Sequence, residues 1–290
     1  MLCLLTAASA ADGVRPVSEE TELRLQHGGP PGGRDVLAEG PDGALLGYAR
    51  LDPDGEAAAE LVVAPAARGA GVGTALLAHV EQLAGDRPVS VWAHGDLPAA
   101  TALAQRRGYR RARVLLQMRR DLAGVEPDPH PALPADVRVL PFRPGTDEEA
   151  WLRVNARAFA GHPEQGAWTV EMLEAREQED WFDPEGFVLA FDADGLAGFC
   201  WTKVHPPQPP REPDALGEIY VIGADPSRHG RGYGRALTTA GLESLAARGI
   251  TIGILYVDAD NEAAVGLYRA LGFVTHRTDR AYGRDVAPAS

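Results

Sequence analysis

A glycine-rich turn occurs twice in this chain, and its repetition fixes the plan of the fold. The first copy reads Arg68-Gly-Ala-Gly-Val-Gly-Thr74 and follows Glu60-Leu-Val-Val-Ala-Pro65. The second reads His229-Gly-Arg-Gly-Tyr-Gly-Arg235 and follows Tyr220-Val-Ile-Gly-Ala-Asp-Pro226. Gly71 and Gly232 lie 161 positions apart, as do Pro65 and Pro226. Each turn follows an apolar, β-branched run and opens a helical pattern, over 74–83 in one half and 236–245 in the other. A strand, a glycine turn and a helix N-terminus together make an anion-binding device, because backbone N–H groups converge and glycine lets a phosphate come close. Two such devices at one long period mean a duplicated domain.

A length of 290 residues suits two domains. The stretch Gly124-Val-Glu-Pro-Asp-Pro-His-Pro-Ala-Leu-Pro134 is rich enough in proline to read as an extended linker. The expected division is therefore 1–123, a linker over 124–135, and 136–290. A second cluster, Pro206-Pro-Gln-Pro-Pro210, lies between two strand-like runs and reads as a surface loop. The halves have the same order of elements. Strand-like runs at 35–39 and 45–49 match those at 187–191 and 198–202. After the glycine turn and its helix come runs at 89–93 and 250–257, then a short helix and Gly108-Tyr or Gly272-Phe. This alternation indicates α/β or α+β domains with a mixed sheet.

The formal charge of −13 argues against a nucleic-acid partner, which needs a basic face. It suits a cationic small substrate, although acidic solvated surfaces are common. Cys3 and Cys200 are isolated, which points to a reducing compartment without a disulfide framework. The start, Met1-Leu-Cys-Leu-Leu-Thr-Ala-Ala-Ser-Ala10, resembles the apolar part of a signal peptide but lacks a positive start. It reads as the tail of an N-terminal helix. No run is long enough to span a membrane. The expectation is a cytoplasmic monomer with a small-molecule partner. The eight histidines show no paired ligand spacing, so no metal is expected. The spacing in Gly230-Arg-Gly-Tyr-Gly234 is not that of a dinucleotide fold, and no acidic residue follows at the right distance for a ribose contact.

Downstream of the second turn stands Asn261-Glu-Ala-Ala-Val-Gly-Leu-Tyr-Arg-Ala-Leu-Gly-Phe273. Together the two segments resemble the GNAT N-acetyltransferase superfamily, in which the turn cradles the CoA pyrophosphate and the second segment carries CoA contacts and often a catalytic Tyr. Further segments are His162-Pro-Glu-Gln-Gly166, Asp180-Trp-Phe-Asp-Pro184, Trp201-Thr-Lys-Val-His-Pro206, Gly217-Glu-Ile-Tyr-Val-Ile-Gly223 and Leu255-Tyr-Val-Asp-Ala-Asp-Asn261. Over nearly the whole chain these look like the mycothiol synthase (mycothiol acetyltransferase) family, tandem GNAT enzymes of actinobacteria. The start departs, since family members carry a longer N-terminal helix. The resemblance implies an α/β (α+β) fold of two tandem GNAT domains, each a twisted mixed sheet flanked by helices. It implies acetyl transfer from acetyl-CoA to the cysteinyl amine of cysteinyl-glucosaminyl-inositol. It also implies cofactor contacts from Ile222, Gly223, Ala224, His229, Gly230, Arg231, Gly232, Tyr233, Gly234 and Arg235, and from Asn261, Glu262, Ala263, Ala264, Val265 and Gly266. In the first copy the matching positions are Val62, Val63, Ala64, Ala70, Gly71, Val72, Gly73, Thr74 and Ala75.

Comparing the copies locates the chemistry. Aligned on the glycine turns, Glu218 faces Ala57. Aligned on the final Gly-aromatic pair, Tyr268 faces Ala104 and Asn261 faces Leu97. Amide synthesis from a thioester needs a neutral amine and a proton donor for the leaving sulfur. Glu218, directly or through a water, suits the first task, and Tyr268 suits the second. The C-terminal half is expected to catalyse. The N-terminal half is expected to bind CoA or to serve as scaffold and substrate wall. The resemblance assigns Glu19, Glu179, Lys203, Glu218 and Tyr256 to the substrate. The residues by themselves leave other readings open. Tyr268 and Tyr256 suit a core, Glu218 an outward edge, and Lys203 and Glu179 a solvated surface. Cys200, between Phe199 and Trp201, reads as a packing residue. Two other functions stay open: acetylation of another amine, such as an aminoglycoside or a peptide N-terminus, and a CoA-binding scaffold without activity.

Overall fold

The computed structural model describes residues 1–27, 33–52, 57–123, 133, 136–161, 163–209 and 212–284. Apart from Leu133, the expected linker over 124–135 lies outside the described residues. In chain order the elements are α1 (Leu2–Asp12), α2 (Glu19–His27), β1 (Arg34–Glu39), β2 (Leu45–Asp52), β3 (Ala57–Val63), α3 (Val72–Ala84), β4 (Val89–Ala93), α4 (Pro98–Arg106) and β5 (Arg110–Asp121). There follow β6 (Arg138–Pro141), α5 (Glu148–Ala158), α6 (Pro163–Gly166), α7 (Val170–Glu177), β7 (Phe187–Asp192), β8 (Gly195–His205) and β9 (Leu216–Ala224). The chain closes with α8 (Tyr233–Ala247), β10 (Ile252–Asp258), α9 (Glu262–Ala270) and β11 (Val274–Arg284).

Two compact units emerge. The first holds residues up to Leu116 together with Asp258–Asp260 and the chain from Arg277 onward. The second holds Gln117–Val257 and Asn261–His276. A cut at the proline-rich stretch does not produce this division, because the last strand joins the first unit. There β11 pairs antiparallel with β4, from Arg280↔Ala93 to Arg284↔Val89.

In the first unit the strands run β1-β2-β3-β4-β11-β5. The pairs β1/β2 and β2/β3 are antiparallel, and β3/β4 is parallel. Alternation along the strands sends side chains to two faces. One face meets α3, whose Leu76, Leu77, Val80 and Ala84 recur at helical spacing and pack on Ala49, Leu51, Ala57 and Ala59. The other meets α1, where Leu4, Leu5 and Ala8 cover Tyr48 and Val62.

In the second unit the order is β5-β10-β9-β8-β7-β6. One face carries an aromatic core against α5 and α7, built on Trp151, Trp201, Phe187 and Phe199. Phe187 stacks on Trp201 at 4.5 Å between ring centroids. Burying each such side chain is worth about 1.5–3 kcal/mol. The opposite face meets α8 through Leu237, Leu242 and Leu245. Gly241 lets α8 come close, since a Cβ there would stand 2.5 Å from the Cys200 sulfur. Cys200 is thus a fully buried packing residue, and burial pushes its thiol pKa up.

Both glycine turns end in a residue that an L side chain resists. Gly71, with φ 87°, is the N-cap of α3, and Gly232, with φ 84°, is the N-cap of α8. The expected strands and helices form at their expected places, and α8 begins three residues earlier than its apolar pattern.

Candidate active site

In the second unit the site is built where β9 parts from β10. The parallel register runs from Leu216↔Ile252 to Ile219↔Leu255 and stops. On its other side β9 pairs with β8, but Trp201 faces Val221 while Thr202 faces Ile219, so Tyr220 is the extra residue of a bulge. Such a bulge bends a strand and re-aims its side chains. It frees an edge of β9 beside the point where the sheet opens.

The cradle follows directly. Beyond β9 the chain makes a short turn over Pro226–Arg228 and enters α8 at Gly232 with no side-chain cap. The first-turn N–H groups of α8 therefore lack a side-chain partner and carry the positive end of the helix dipole. A Cβ built at Gly230 would meet nothing within 4 Å, so the turn lies open at that point. Gly234 instead allows close packing, since a Cβ there would stand 3.3 Å from Leu267 of α9. Asn261 caps α9, its Oδ1 accepting the Ala264 N–H at 3.1 Å. Cradle, turn and α9 N-terminus fit a CoA nucleotide.

Glu218 lies before the bulge, directly opposite Lys203 and beside Ile254. It is buried, and His205 Nε2 donates to its Oε2 at 2.6 Å. A carboxylate can only accept, so the bridging proton belongs to the imidazole. Lys203 turns its ammonium over two rings, 4.5 Å from the Trp181 centroid and 5.6 Å from that of Tyr220. Glu179 is exposed in the turn after α7, two residues before Trp181. Tyr256 follows the last β9/β10 pair on β10, half-exposed, with its hydroxyl accepting from Gln117 Nε2 at 2.6 Å. Glu218, Lys203 and Tyr256 thus occupy neighbouring strands, and Glu179 stands two positions before Trp181, whose ring lies under the Lys203 ammonium. Glu19 begins α2 in the first unit, and its side chain lies outside the described residues. Tyr268 is buried on α9, edge-on to Phe273 at 6.0 Å. Burial holds its phenol well above the ordinary range, so it stays protonated.

The first unit repeats the cradle without this chemistry. The register of β2 with β3 runs from Gly47↔Val63 to Asp52↔Ala58 without a shift. Because the bulge is missing, the residue matching Glu218 across the strand pair is Ala58, one place beyond the sequence alignment. The β3/β4 pairing ends at Glu60↔Trp92. There a cavity of about 750 Å³ opens, lined by Val62, Val63, Gly71, Thr74, His94 and Tyr282 among others. His94 on its wall belongs to a buried charge cluster that sequence reasoning missed. His94 Nε2 lies 2.8 Å from Glu60 and its Nδ1 3.4 Å from Asp279. Glu60 also accepts from Ser18 N–H at 2.9 Å and Ser18 Oγ at 3.0 Å. Asp279 accepts the Gly95 N–H at 2.9 Å and pairs with Arg277. Burial disfavours the charge on His94, but bonds to Asp279 and Glu60 push its pKa up to about 9. Burial also opposes the charges of Glu60 and Asp279, yet the bond from His94 pulls both pKa values below the ordinary range. Both ring nitrogens are thereby committed, so His94 is not a free base.

His205 and Gln117 were also missed. The alternation Lys203-x-His205 on the strand beside Glu218 was the available signal for the first. Nothing local marked the second. Among the described residues no group of acidic, histidine or cysteine side chains is arranged to hold a metal, and no helix is long and apolar enough to cross a membrane.

Comparison with known proteins bears on the family and the fold. The acetyltransferase (GNAT) family model matches residues 8–109 and again 150–273. The mycothiol acetyltransferase of Geodermatophilus obscurus is 62% identical over 287 residues, covering 98% of this chain and 93% of that protein. That of Thermobispora bispora is 52% identical, covering 98% and 95%. Among solved structures, a GCN5-related N-acetyltransferase from Sphaerobacter thermophilus superposes with a TM-score of 0.79 at 27% identity, covering 99% of this chain and 92% of that one. A tandem GNAT protein from the clavulanic acid biosynthesis pathway shares the fold, with a TM-score of 0.72 at 21% identity over 100% and 94% of the two chains. With its glycine turn and family match present in both halves, the chain belongs to the mycothiol acetyltransferase family of tandem GNAT proteins.

Proposed function

We propose that the second unit transfers acetyl from acetyl-CoA to the cysteinyl amine of cysteinyl-glucosaminyl-inositol, the step that completes mycothiol. The observation that carries this reading is Glu218, a buried carboxylate at the mouth of the opened sheet in the one unit that also keeps the bulge and Tyr268. Bound acetyl-CoA supplies the thioester. The residues from Ile222 to Ala224 and from His229 to Arg235, with Asn261 to Gly266, are the ones to hold it.

Glu218 draws the substrate ammonium into place and takes one proton, leaving the amine neutral. An α-amine has a pKa near 8, so only modest help from a base is required. Tyr268 gives a proton to the departing sulfur, and the second proton that the nitrogen loses as the amide forms restores the phenol through solvent. Positioned acids and bases of this kind each contribute about 10²–10⁴-fold. Lys203, Glu179 and Tyr256 present charge and hydroxyl to the sugar and inositol oxygens, and Trp181 offers an apolar wall. The substrate thiol competes with its amine, and Glu218 favours nitrogen by binding the ammonium before deprotonation.

The first unit is proposed to hold a CoA nucleotide in its cavity, through Val62 to Ala64 and Ala70 to Ala75, without transferring acetyl. Alanine stands at its counterpart of Glu218, and Glu60 is consumed by His94 and Ser18. We propose that the chain acts as a cytoplasmic monomer. The test is free CoA release with a panel of amines: cysteinyl-glucosaminyl-inositol, an aminoglycoside and a peptide N-terminus. Preferred turnover of the first supports the reading. Preferred turnover of either other amine discards the substrate.

A further inference from the structure

We infer that His205 is a positioning residue for Glu218. Its Nε2–H ties down one carboxylate oxygen and leaves the other as the oxygen that receives the amine proton. This inference rests on the reading of Glu218 as the base.

The geometry is specific. His205 is the last residue of β8 and stands across from Leu216, with its ring reaching Glu218 Oε2 at 2.6 Å. Both side chains are largely buried, 15% and 11% exposed, so water competes poorly for the bond. The backbone of His205 is held as well. Pro206 follows it, and a residue before proline is kept extended. A strand end is thereby made stiff at the point where its side chain must aim. Lys203, two residues earlier and directly opposite Glu218, has its ammonium over Trp181 and Tyr220. Glu218 is therefore oriented by the imidazole from β8, while β10 presents only the aliphatic Ile254 at the paired position. A carboxylate free to rotate would present either oxygen. One fixed by a donor presents a single oxygen at a single angle, and misplacement of a catalytic group by about 1 Å costs about 10²-fold.

The role requires a donor at the Nε2 position, not a titrating ring. The test uses the full chain with His205→Phe, which keeps a ring but no donor, and His205→Gln, whose amide N–H₂ reaches a similar place. Initial rates of CoA release are measured over amine concentration and from pH 6 to 9, and acetyl-CoA affinity by calorimetry. The expected result is a kcat about 10–100-fold lower for His205→Phe with acetyl-CoA affinity retained, and recovery of most of that loss in His205→Gln. A wild-type kcat in His205→Phe overturns the inference. So does an equal loss in His205→Gln, which would make the imidazole a titrating group.

Failure of the unmodified enzyme on cysteinyl-glucosaminyl-inositol counts against the substrate, not against His205. The ratio between variants on any accepted amine still decides the role. If no amine is accepted, ¹⁵N ring shifts decide it. A protonated Nε2 whose shift moves in Glu218→Gln supports the pairing, and an unmoved shift overturns it.

Discussion

Replacing His94 with alanine removes the cation between two buried carboxylates. The side chains of Glu60 and Asp279 are 12% and 5% exposed. Breaking a buried ion pair by deleting one partner costs about 3–5 kcal/mol. Here Glu60 keeps two bonds from Ser18, and Asp279 keeps Gly95 and Arg277, so the low end applies. Proton linkage gives a second route to the magnitude. The imidazole pKa rises from 6.5 to about 9 on folding. That rise corresponds to about 3 kcal/mol of stability, in line with the first value. Because the folded pKa is raised, this contribution is fully present below pH 6.5 and is lost as pH climbs through about 9. Scanning calorimetry of wild type and His94→Ala at pH 6.5 and 9.5 reads it directly. The transition that includes the first unit should fall by about 6–12 °C at the lower pH and by much less at the higher. An equal fall at both pH values would refute the buried imidazolium, and no fall at either would refute the cluster as a stabilising contact.

Three further outcomes follow from the site. Glu218→Gln keeps the shape and loses the base, so kcat should drop about 10²–10⁴-fold with acetyl-CoA affinity retained by calorimetry; an unchanged kcat removes Glu218 from the chemistry. Tyr268→Phe keeps the edge contact with Phe273 and loses the proton donor, so turnover should fall about 10²-fold while the melting temperature holds; full turnover assigns the acid elsewhere. Gly232→Ala forces a side chain into a left-handed turn at a local cost of about 1–2 kcal/mol, and acetyl-CoA binding should weaken measurably by titration; unaltered binding would show that the turn does not cradle the nucleotide.

Much of this was legible in the residues. Glycine at the left-handed N-caps, β-branched runs before them and leucines at helical spacing specify strand, turn and helix locally, so both copies could be read. What escaped depends on distant pairing. No local signal tells β11 which sheet to join, and its Asp279 meets a histidine 185 positions away. The bulge at Tyr220 adds one residue to β9 without changing its composition, so an ungapped comparison sets Glu218 against Ala57 where the strand pairing sets it against Ala58. Glu60 reads as a carboxylate in an apolar run, and only the packing of α1, α2 and β4 beside it shows that Ser18 and His94 satisfy it. Alternation along β8 makes the link from His205 to Glu218 readable once β8 and β9 are known to pair.

The most direct test of acetyl transfer to nitrogen is the product itself. Acetyl-CoA and cysteinyl-glucosaminyl-inositol are incubated with the enzyme, released CoA is followed, and the product is weighed and its thiol titrated. One added acetyl on nitrogen, with the thiol still free, is the predicted result. An S-acetyl product as the main early species, or no product despite tight acetyl-CoA binding, would contradict the account.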